Sequence, residues 1–451
     1  MPYKKILFFV KSLRFLRYFK SVVEALLRRG FAVHIVFDSE KYEEPSDNSL
    51  EQFKKEHPLF SWENGPLRTD RWARFIIACR NIRNYAFLVR IRAVKRHTDR
   101  MFQYLPVSLR KSIARMPFLR FVIALRPVDF FLSLCEYMVP PDISITNYIR
   151  AARPSAILVS YRNFPCTSPD IDYLKSARKL RIPAATITPS WDNLTTKSLI
   201  QVKPDAVLVW NEEHAHSVHR YHHIPKETIK IVGAPQFDAW FERRVPFQIR
   251  ERFIDSYGLD PNRKFLLYIS SASAGRRNPN AIHLLREACN ASTDPLVRTI
   301  HILVRPYPGY EGFSAVGNIF GVTVLPAPAE GRRTLQDDAL FYDSIFHSFA
   351  VIALDSAAFF DVMAVGRPGI VYRDAHFSDI QSAEHFSALM GRGALYEANS
   401  GYRFTSLVSR LLAGKDEFAA RRAEYLKRFI RPRGIERSAG EAVADEVEKF
   451  L

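Results

Sequence analysis

Cysteine is scarce in this chain and unpaired in pattern. Four stand among 451 residues (Cys79, Cys135, Cys166 and Cys289), with no C-x-x-C pair and no histidine at ligand spacing beside them. That argues against a disulfide framework or a cysteine zinc site, and reads as free thiols in a reducing cytoplasm. Long uncharged apolar runs are missing as well: no window approaches the ~20 residues a spanning helix requires. The basic opening "MPYKKILFFVKSLRF" has an apolar run of only Ile6 to Val10, too short for a signal peptide. A soluble or peripheral protein is expected, cytoplasmic, with the inner face of the cytoplasmic membrane as the lipid surface within reach. No P-loop string, nucleophile elbow, kinase set or fixed-period repeat occurs. Helix-turn-helix, zinc-finger and RRM signatures are absent too, so nucleic acid is set aside as a partner.

What the chain has in excess is positive charge, 65 Lys+Arg against 47 Asp+Glu for a formal net charge of +18. That favours anionic company such as phosphorylated small molecules or an acidic membrane surface. A hydrophobic content of 47% suffices for real cores, and the length suits two domains with an insertion.

"KILFFV", "RYFKSVVEALLRRG" and "AVHIVFD" read as strand, helix and strand, a βαβ unit and hence a parallel sheet. The turn after the first strand carries Lys11, Arg14 and Arg17 where a dinucleotide fingerprint would place glycines. Residues from about 45 to 150 are Arg- and aromatic-rich and read as helices broken by Pro106, Pro117 and Pro127. The α/β rhythm then resumes through "SAILVS", "AATITPS", "AVLVW" and "IKIVGAP". A linker over "FERRVPFQIRERF" leads to a second alternation from "KFLLYISSAS" to "GIVYRD", then a polar helical tail. The expected fold class is α/β: two Rossmann-like domains facing a cleft, with a helical insertion in the first. Expected bounds are 1–245, 246–425 and a C-terminal helix over 426–451. Ligands of such sheets bind beyond the carboxyl ends of the strands, so the strand-to-helix loops hold the candidates.

Ser356 reads as the N-cap of a helix closed by Gly366 and Pro368, a place for a diphosphate, with Asp361 further along to accept from sugar hydroxyls. The alternative is a plain cap and a solvated carboxylate. "YISSASAGRRN" offers Ser270, Ser271 and Ser273 for close backbone approach, and Arg276 and Arg277 for phosphate, or else is a flexible polar loop. Arg305, between a buried strand and Pro306, reads as an anion clamp or a structural ion pair. Arg14 and Arg17 could bind an anionic acceptor or lie on an exposed helix start. Five histidines crowd "NEEHAHSVHRYHHIP", but "HRYHH" lacks the glutamate of a metalloprotease helix, so no metal ligands are assigned. The basic insertion suits an interfacial helix on anionic lipid, or a helical cap with a solvated basic face.

The string "SWDNLTTKSLI…KPDAVLVWNEEH…VGAPQFDAWF" resembles a group of bacterial GT-B-like proteins with an S-W-D-N-L-T-x-K loop. "YISS", "RPYP", "LDSA" and "FSDIQSAEHF" are similar to that group's serine pair, R-P-H-P element, N-T-S-A helix start and distal F…Q…HF string. More distantly the chain is similar to Kdo-, sialyl- and CDP-glycerol glycerophosphate-transferring enzymes. The resemblance implies a GT-B glycosyltransferase with a first acceptor domain, a second donor domain and a C-terminal helix returning to the first. It implies a metal-independent transfer from a nucleotide sugar to a cell-surface glycan or lipid-linked acceptor, with no cofactor beyond that co-substrate. The alternatives are a polyol- or glycerol-phosphate transferase using a nucleotide-polyol, an inactive binding protein, and a non-hydrolysing nucleotide-sugar epimerase, which shares the two-domain cleft but needs several acid/base carboxylates near the sugar that the sequence does not identify. Donor contacts fall on Ser270, Ser271, Arg305, Tyr307, Ser356, Asp361, Gln381 and His385, and acceptor contacts on Arg14, Arg17, Trp191 and Asn193. Asp192 and Arg305 are the catalytic candidates, with Asp38, Asp170 and Asp172 competing as base. The other reading of "SWDNLTTK" is a polar network pinning the loop itself. Two positions depart from the group: Tyr307 replaces the histidine of R-P-H-P, and Asp355 stands in "LDSA".

Overall fold

Alternate residues of β1 (Lys5–Val10) enter two different cores, which is what a strand covered on both faces requires. Ile6, Phe8 and Val10 pack with Val22, Leu26, Val443 and Val447, whereas Leu7 and Phe9 pack with Ile145, Ile149, Ile171 and Leu174. Helices Lys20–Arg28 and Ala439–Glu448 supply the first layer, Ile143–Ala152 and Asp170–Leu180 the second. In this computed structural model the described residues are 3–38, 49–161, 169–271, 274–310, 312–313, 316–328, 334–378, 380–381, 386 and 389–451, without the side chains of Arg14, Ser49, Arg276 and Leu335.

Among the described residues the strands form two parallel sheets. The first has seven strands: β1, β2 (Ala32–Asp38), β3 (Phe60–Gly65), β4 (Ala156–Ser160), β5 (Ala184–Ile187), β6 (Ala206–Val209) and β7 (Ile229–Ile231), in the order β3-β2-β1-β4-β5-β6-β7. The second has six: β8 (Phe265–Ile269), β9 (His301–Arg305), β10 (Val322–Val324), β11 (Ala350–Ala353), β12 (Gly369–Tyr372) and β13 (Tyr396–Ala398), in the order β10-β9-β8-β11-β12-β13. The order reverses beside β1 in one sheet and beside β8 in the other, so the switch points are β1/β4 and β8/β11.

The chain divides into two compact units. The first runs to Asp238 and takes the chain up again at Phe429–Leu451; the second is Ala239–Arg428. Within the first, the Ala439–Glu448 helix lies so close to Lys20–Arg28 that a Cβ on Gly440 would stand 2.4 Å from the Ser21 carbonyl oxygen. Asp238 accepts from the Ala439 and Gly440 amides at 3.0 and 2.9 Å and pairs with Arg431 at 2.9 Å.

Three expectations are corrected. The stretch from 45 to 150 is not all helix, because "FSWENG" adds β3 to the sheet edge alongside β2. β13 extends the second sheet at its other edge. The stretch expected as a linker is strapped to its own unit: the amides of Phe247 and Gln248 donate to Asp343 at 2.7 and 2.9 Å, and Arg250 donates to the His347 carbonyl at 2.9 Å. The prolines do punctuate the insertion, with Pro106 preceding helix Val107–Arg115 and Pro127 in the first turn of Arg126–Met138.

Candidate functional site

In the second unit the strand ends gather Ser270, Ser271, Arg305, Asp355 and Ser356. Arg305 is in register with Ile269, and the amide of Ser270 donates to the Arg305 carbonyl at 3.0 Å. On the other side of β8, β11 runs out into Leu354, Asp355 and Ser356. Ser270, Arg305 and Asp355 are all buried. The Ser270 hydroxyl has no hydrogen-bond partner among the described residues, and a buried polar group left in that state is costly unless something else completes it.

Ser271 and Gly275, which follow β8, are pinned for a reason the sequence pattern did not announce. Asn278, almost fully buried, accepts from the Tyr268 hydroxyl at 2.9 Å and the Ser271 amide at 3.1 Å. Its own amide donates to the carbonyls of Ser271 and Gly275 at 3.0 and 2.8 Å. All four hydrogen-bonding positions of the side chain are used, two of them on the backbone of Ser271. Replacing Asn278 by alanine is expected to cost about 2–3 kcal/mol and open this loop to limited proteolysis; unchanged cleavage kinetics would show that the loop holds its shape without it. Ser273 and the side chain of Arg276 lie outside the described residues.

Arg305 donates to the Asp337 carbonyl at 3.1 Å, and its guanidinium carbon lies 5.0 Å from the Phe341 ring centre. Helix Leu335–His347 therefore supports it on one side. Tyr307, two residues on, is half exposed. Ser356 is not the N-cap: helix Ala358–Ala364 begins with Ala357 in αR geometry at that position, and the Ser356 hydroxyl accepts from the Ala358 amide at 3.2 Å. At seven residues this helix offers a weaker dipole than the sequence led one to expect. Asp361 accepts from the Trp240 indole, and Gln381 donates to the carbonyls of Leu354 and Tyr372 at 2.7 and 2.8 Å, tying the ends of β11 and β12 together. His385 lies outside the described residues.

In the first unit "SWDNLTTK" follows β5 and turns through a short helix, Asn193–Thr196. Asp192 accepts from the hydroxyls of Ser190 and Thr196 at 2.8 and 3.0 Å and pairs with Lys197 at 2.9 Å. The Asn193 amide donates to the Tyr161 carbonyl at 3.1 Å. Two histidines of helix Glu212–His222 hold the rest: His214 Nε2 donates to the Trp191 carbonyl at 3.1 Å, and His222 Nε2 to the Leu194 carbonyl at 2.9 Å. The Ile200 amide donates to His222 Nδ1 at 3.0 Å, which fixes the neutral tautomer of that ring. Burial pushes both histidines down to about 4. Two of the five crowded histidines are thus loop staples, a role hidden from a reading of their spacing alone.

Of the other first-unit candidates, Arg17 is exposed and donates to the neighbouring Tyr18 hydroxyl at 3.2 Å, while the Arg14 side chain lies outside the described residues. Asp38 and Asp170 are buried. Asp172 is corrected as a base: it sits in a buried ionic cluster, paired with Arg68 at 2.9 Å and Arg80 at 2.8 Å. Burial alone would raise its carboxyl, but the two guanidinium groups more than offset that and hold it below the usual range.

No family model matches the chain, and no curated protein matches it in sequence. Solved structures do resemble it. UDP-GlcNAc 2-epimerase from Neisseria meningitidis, bound to UDP-GlcNAc, has a TM-score of 0.58 at 11% identity over 99% of this chain and 100% of that one. A glycosyltransferase from Rickettsia africae ESF-5 has a TM-score of 0.54 at 9% identity, over 100% and 98%. Arabidopsis thaliana UGT89C1, complexed with UDP, has a TM-score of 0.51 at 13% identity, over 99% of each chain. At such identities the likeness is one of fold, and the fold is that of the GT-B glycosyltransferase-like group, shared by transferases and epimerases.

Proposed function

We propose that the second unit binds the diphosphate of a nucleotide-activated donor, and that the protein transfers the activated sugar to a glycan or lipid-linked acceptor. The observation that carries this reading is the buried, unsatisfied hydroxyl of Ser270 beside Ser271 and Arg305 at a switch point. A phosphate oxygen placed there would accept from Ser270 and take charge-assisted hydrogen bonds from Arg305, stabilising the leaving diphosphate as its charge grows. Neighbours of the same fold crystallised with UDP or UDP-GlcNAc support this choice of ligand. Transfer of this kind is metal-independent, so EDTA leaves the rate unchanged. In this reading Tyr307 adds a neutral donor, and Asp192 acts as base only by exchanging Lys197 for an acceptor hydroxyl.

A second reading, nucleotide binding without turnover, is favoured by that Asp192–Lys197 pair and by Tyr307 in the place of a histidine. A calorimetric screen against UDP, CDP, CMP, GDP and dTDP tests the binding step. Arg305→Ala is expected to weaken the preferred nucleotide by about 10- to 100-fold. Ser270→Ala has a distinctive sign: it weakens the nucleotide by roughly threefold to tenfold yet stabilises the ligand-free protein by about 1 kcal/mol, because an unsatisfied buried hydroxyl is removed. Binding to none of the five would sink both readings. Acceptor-dependent release of free nucleotide separates transfer from simple binding and from epimerisation, which liberates none.

A further inference from the structure

Helix Arg126–Met138 is apolar on both faces, with Leu132 and Cys135 packed against Ile76 and Cys79 and a second apolar stripe facing outward. Toward the protein it also turns its acids: Glu136 meets Arg80 at 2.8 Å and Asp129 meets Arg83 at 3.0 Å. Phe130, Phe131, Leu134, Tyr137 and Met138 repeat at one-, four-, seven- and eight-residue offsets, a single helical stripe, and all five are exposed. Phe130 is 71% exposed, Tyr137 82% and Met138 72%. The preceding helix, Leu119–Ile123, continues the pattern: Phe118, Phe121, Val122 and Leu125 follow helical spacing and are exposed as well. An ordinary amphipathic helix is polar on its outer face, and an apolar surface of this extent marks an interaction site.

The charge around the stripe selects the occupant. Between Val107 and Met138 the exposed charged residues are Lys111, Arg115, Arg120 and Arg126. The two acids of the segment are engaged inward, Glu136 buried and Asp129 bonded to Arg83. Arg120 lies over the Phe121 ring with its guanidinium carbon 4.6 Å from the centre, so cation and aromatic share one place on the surface. A second copy seated on a twofold axis would bring these four cations against their own images. An anionic bilayer complements them and accepts the aromatic stripe at its headgroup boundary. Among the described residues no helix is long and apolar enough to cross a membrane, so this contact is one that lies on the surface.

We propose that the face formed by Leu119–Ile123 and Arg126–Met138 docks the protein on an anionic lipid bilayer, with Phe130, Phe131 and Tyr137 entering the interface and Arg120 and Arg126 contacting lipid phosphates. The inference stands apart from the transfer reading: it survives if no nucleotide binds. The test is co-sedimentation of the full chain with vesicles of phosphatidylglycerol and phosphatidylcholine at 1:1, and with phosphatidylcholine alone. Binding to the mixed vesicles is expected, at least about tenfold weaker to phosphatidylcholine and falling as salt rises. Phe130→Ser with Phe131→Ser, and separately Arg120→Glu with Arg126→Glu, should each weaken it by about tenfold or more. All four side chains are solvent-facing, so thermal unfolding should stay where it was. No binding to the mixed vesicles, or undiminished binding by both variants, overturns the proposal. So does concentration-dependent self-association in sedimentation velocity that the phenylalanine variant abolishes, which would assign the face to a second copy.

Discussion

Replacing Arg80 by alanine is expected to lower the unfolding free energy by about 3–5 kcal/mol, the usual cost of stranding buried charges. Arg80 is fully enclosed and gives two hydrogen bonds to Glu136, at 2.8 and 2.9 Å, and two to Asp172, both at 2.8 Å. Those carboxylates come from two other helices, so one guanidinium joins Ala73–Arg90, Arg126–Met138 and Asp170–Leu180. Lys175 adds a bond to Glu136 at 3.0 Å and another to the Val139 carbonyl at 2.7 Å. Arg68 and Lys175 remain after the substitution, which keeps the loss from being larger. Urea unfolding of Arg80→Ala, Asp172→Ala and the double variant gives the check. The double variant should lose far less than the sum of the singles, since each single leaves a partner charge stranded. Strict additivity, or a loss under about 1 kcal/mol, would mean that apolar packing alone seats the insertion.

Acid should unfold this protein earlier than its carboxylates alone require. His214 and His222 are neutral in the fold, with burial holding both near 4 against an ordinary value of 6.5. Below pH 6.5 the unfolded chain takes up protons at these rings and the folded chain does not. Their contribution is therefore whole above pH 6.5 and drains away as the pH falls toward 4, on the order of 3 kcal/mol for each ring. The loop Trp191–Ile200 should release together with this loss, because the same rings hold its carbonyls and the Ile200 amide. Glutamine at position 222 retains one donor and one acceptor but does not titrate. His222→Gln should remove that ring's own share of the stability lost between pH 6.5 and 4 while costing roughly 1–2 kcal/mol at pH 7. If wild type and variant fall in parallel over that range, the histidine is not the acid-sensitive element.

Much of the fold was legible because its signals are local. β1, β4 and β8 are continuous apolar runs, as strands buried on both faces must be, and Pro106, Pro117 and Pro127 punctuate the insertion where the helices break. The strands that escaped notice, β3 and β13, lie at sheet edges. There one side of each strand meets solvent, so residues such as Trp62, Glu63, Asn64 and Glu397 carry no run of apolar neighbours to betray it. The candidate site was legible in the same measure: Ser270, Ser271 and Arg305 stand at strand ends, which the α/β rhythm already located.

Asn278 was not legible, nor was the work of Asp172, His214 and His222. An asparagine before a proline, an aspartate in the first turn of a helix and a histidine among other histidines are ordinary residues in a string. Each acquires its role from partners 22 to 104 positions away, or, for Asn278, from the direction in which a buried amide points. The sequence by itself determined the two-sheet α/β plan, the basic charge and the strand ends that carry the candidate site, because hydrophobic period and net charge are sums over neighbours. Only the tertiary structure decided that "SWDNLTTK" is braced by two buried histidines of another helix, and that helix Arg126–Met138 turns its phenylalanines outward. Both outcomes hang on where distant side chains meet in a medium of low polarity, where an unpaired charge or hydrogen-bonding group is costly enough to set the orientation of everything attached to it.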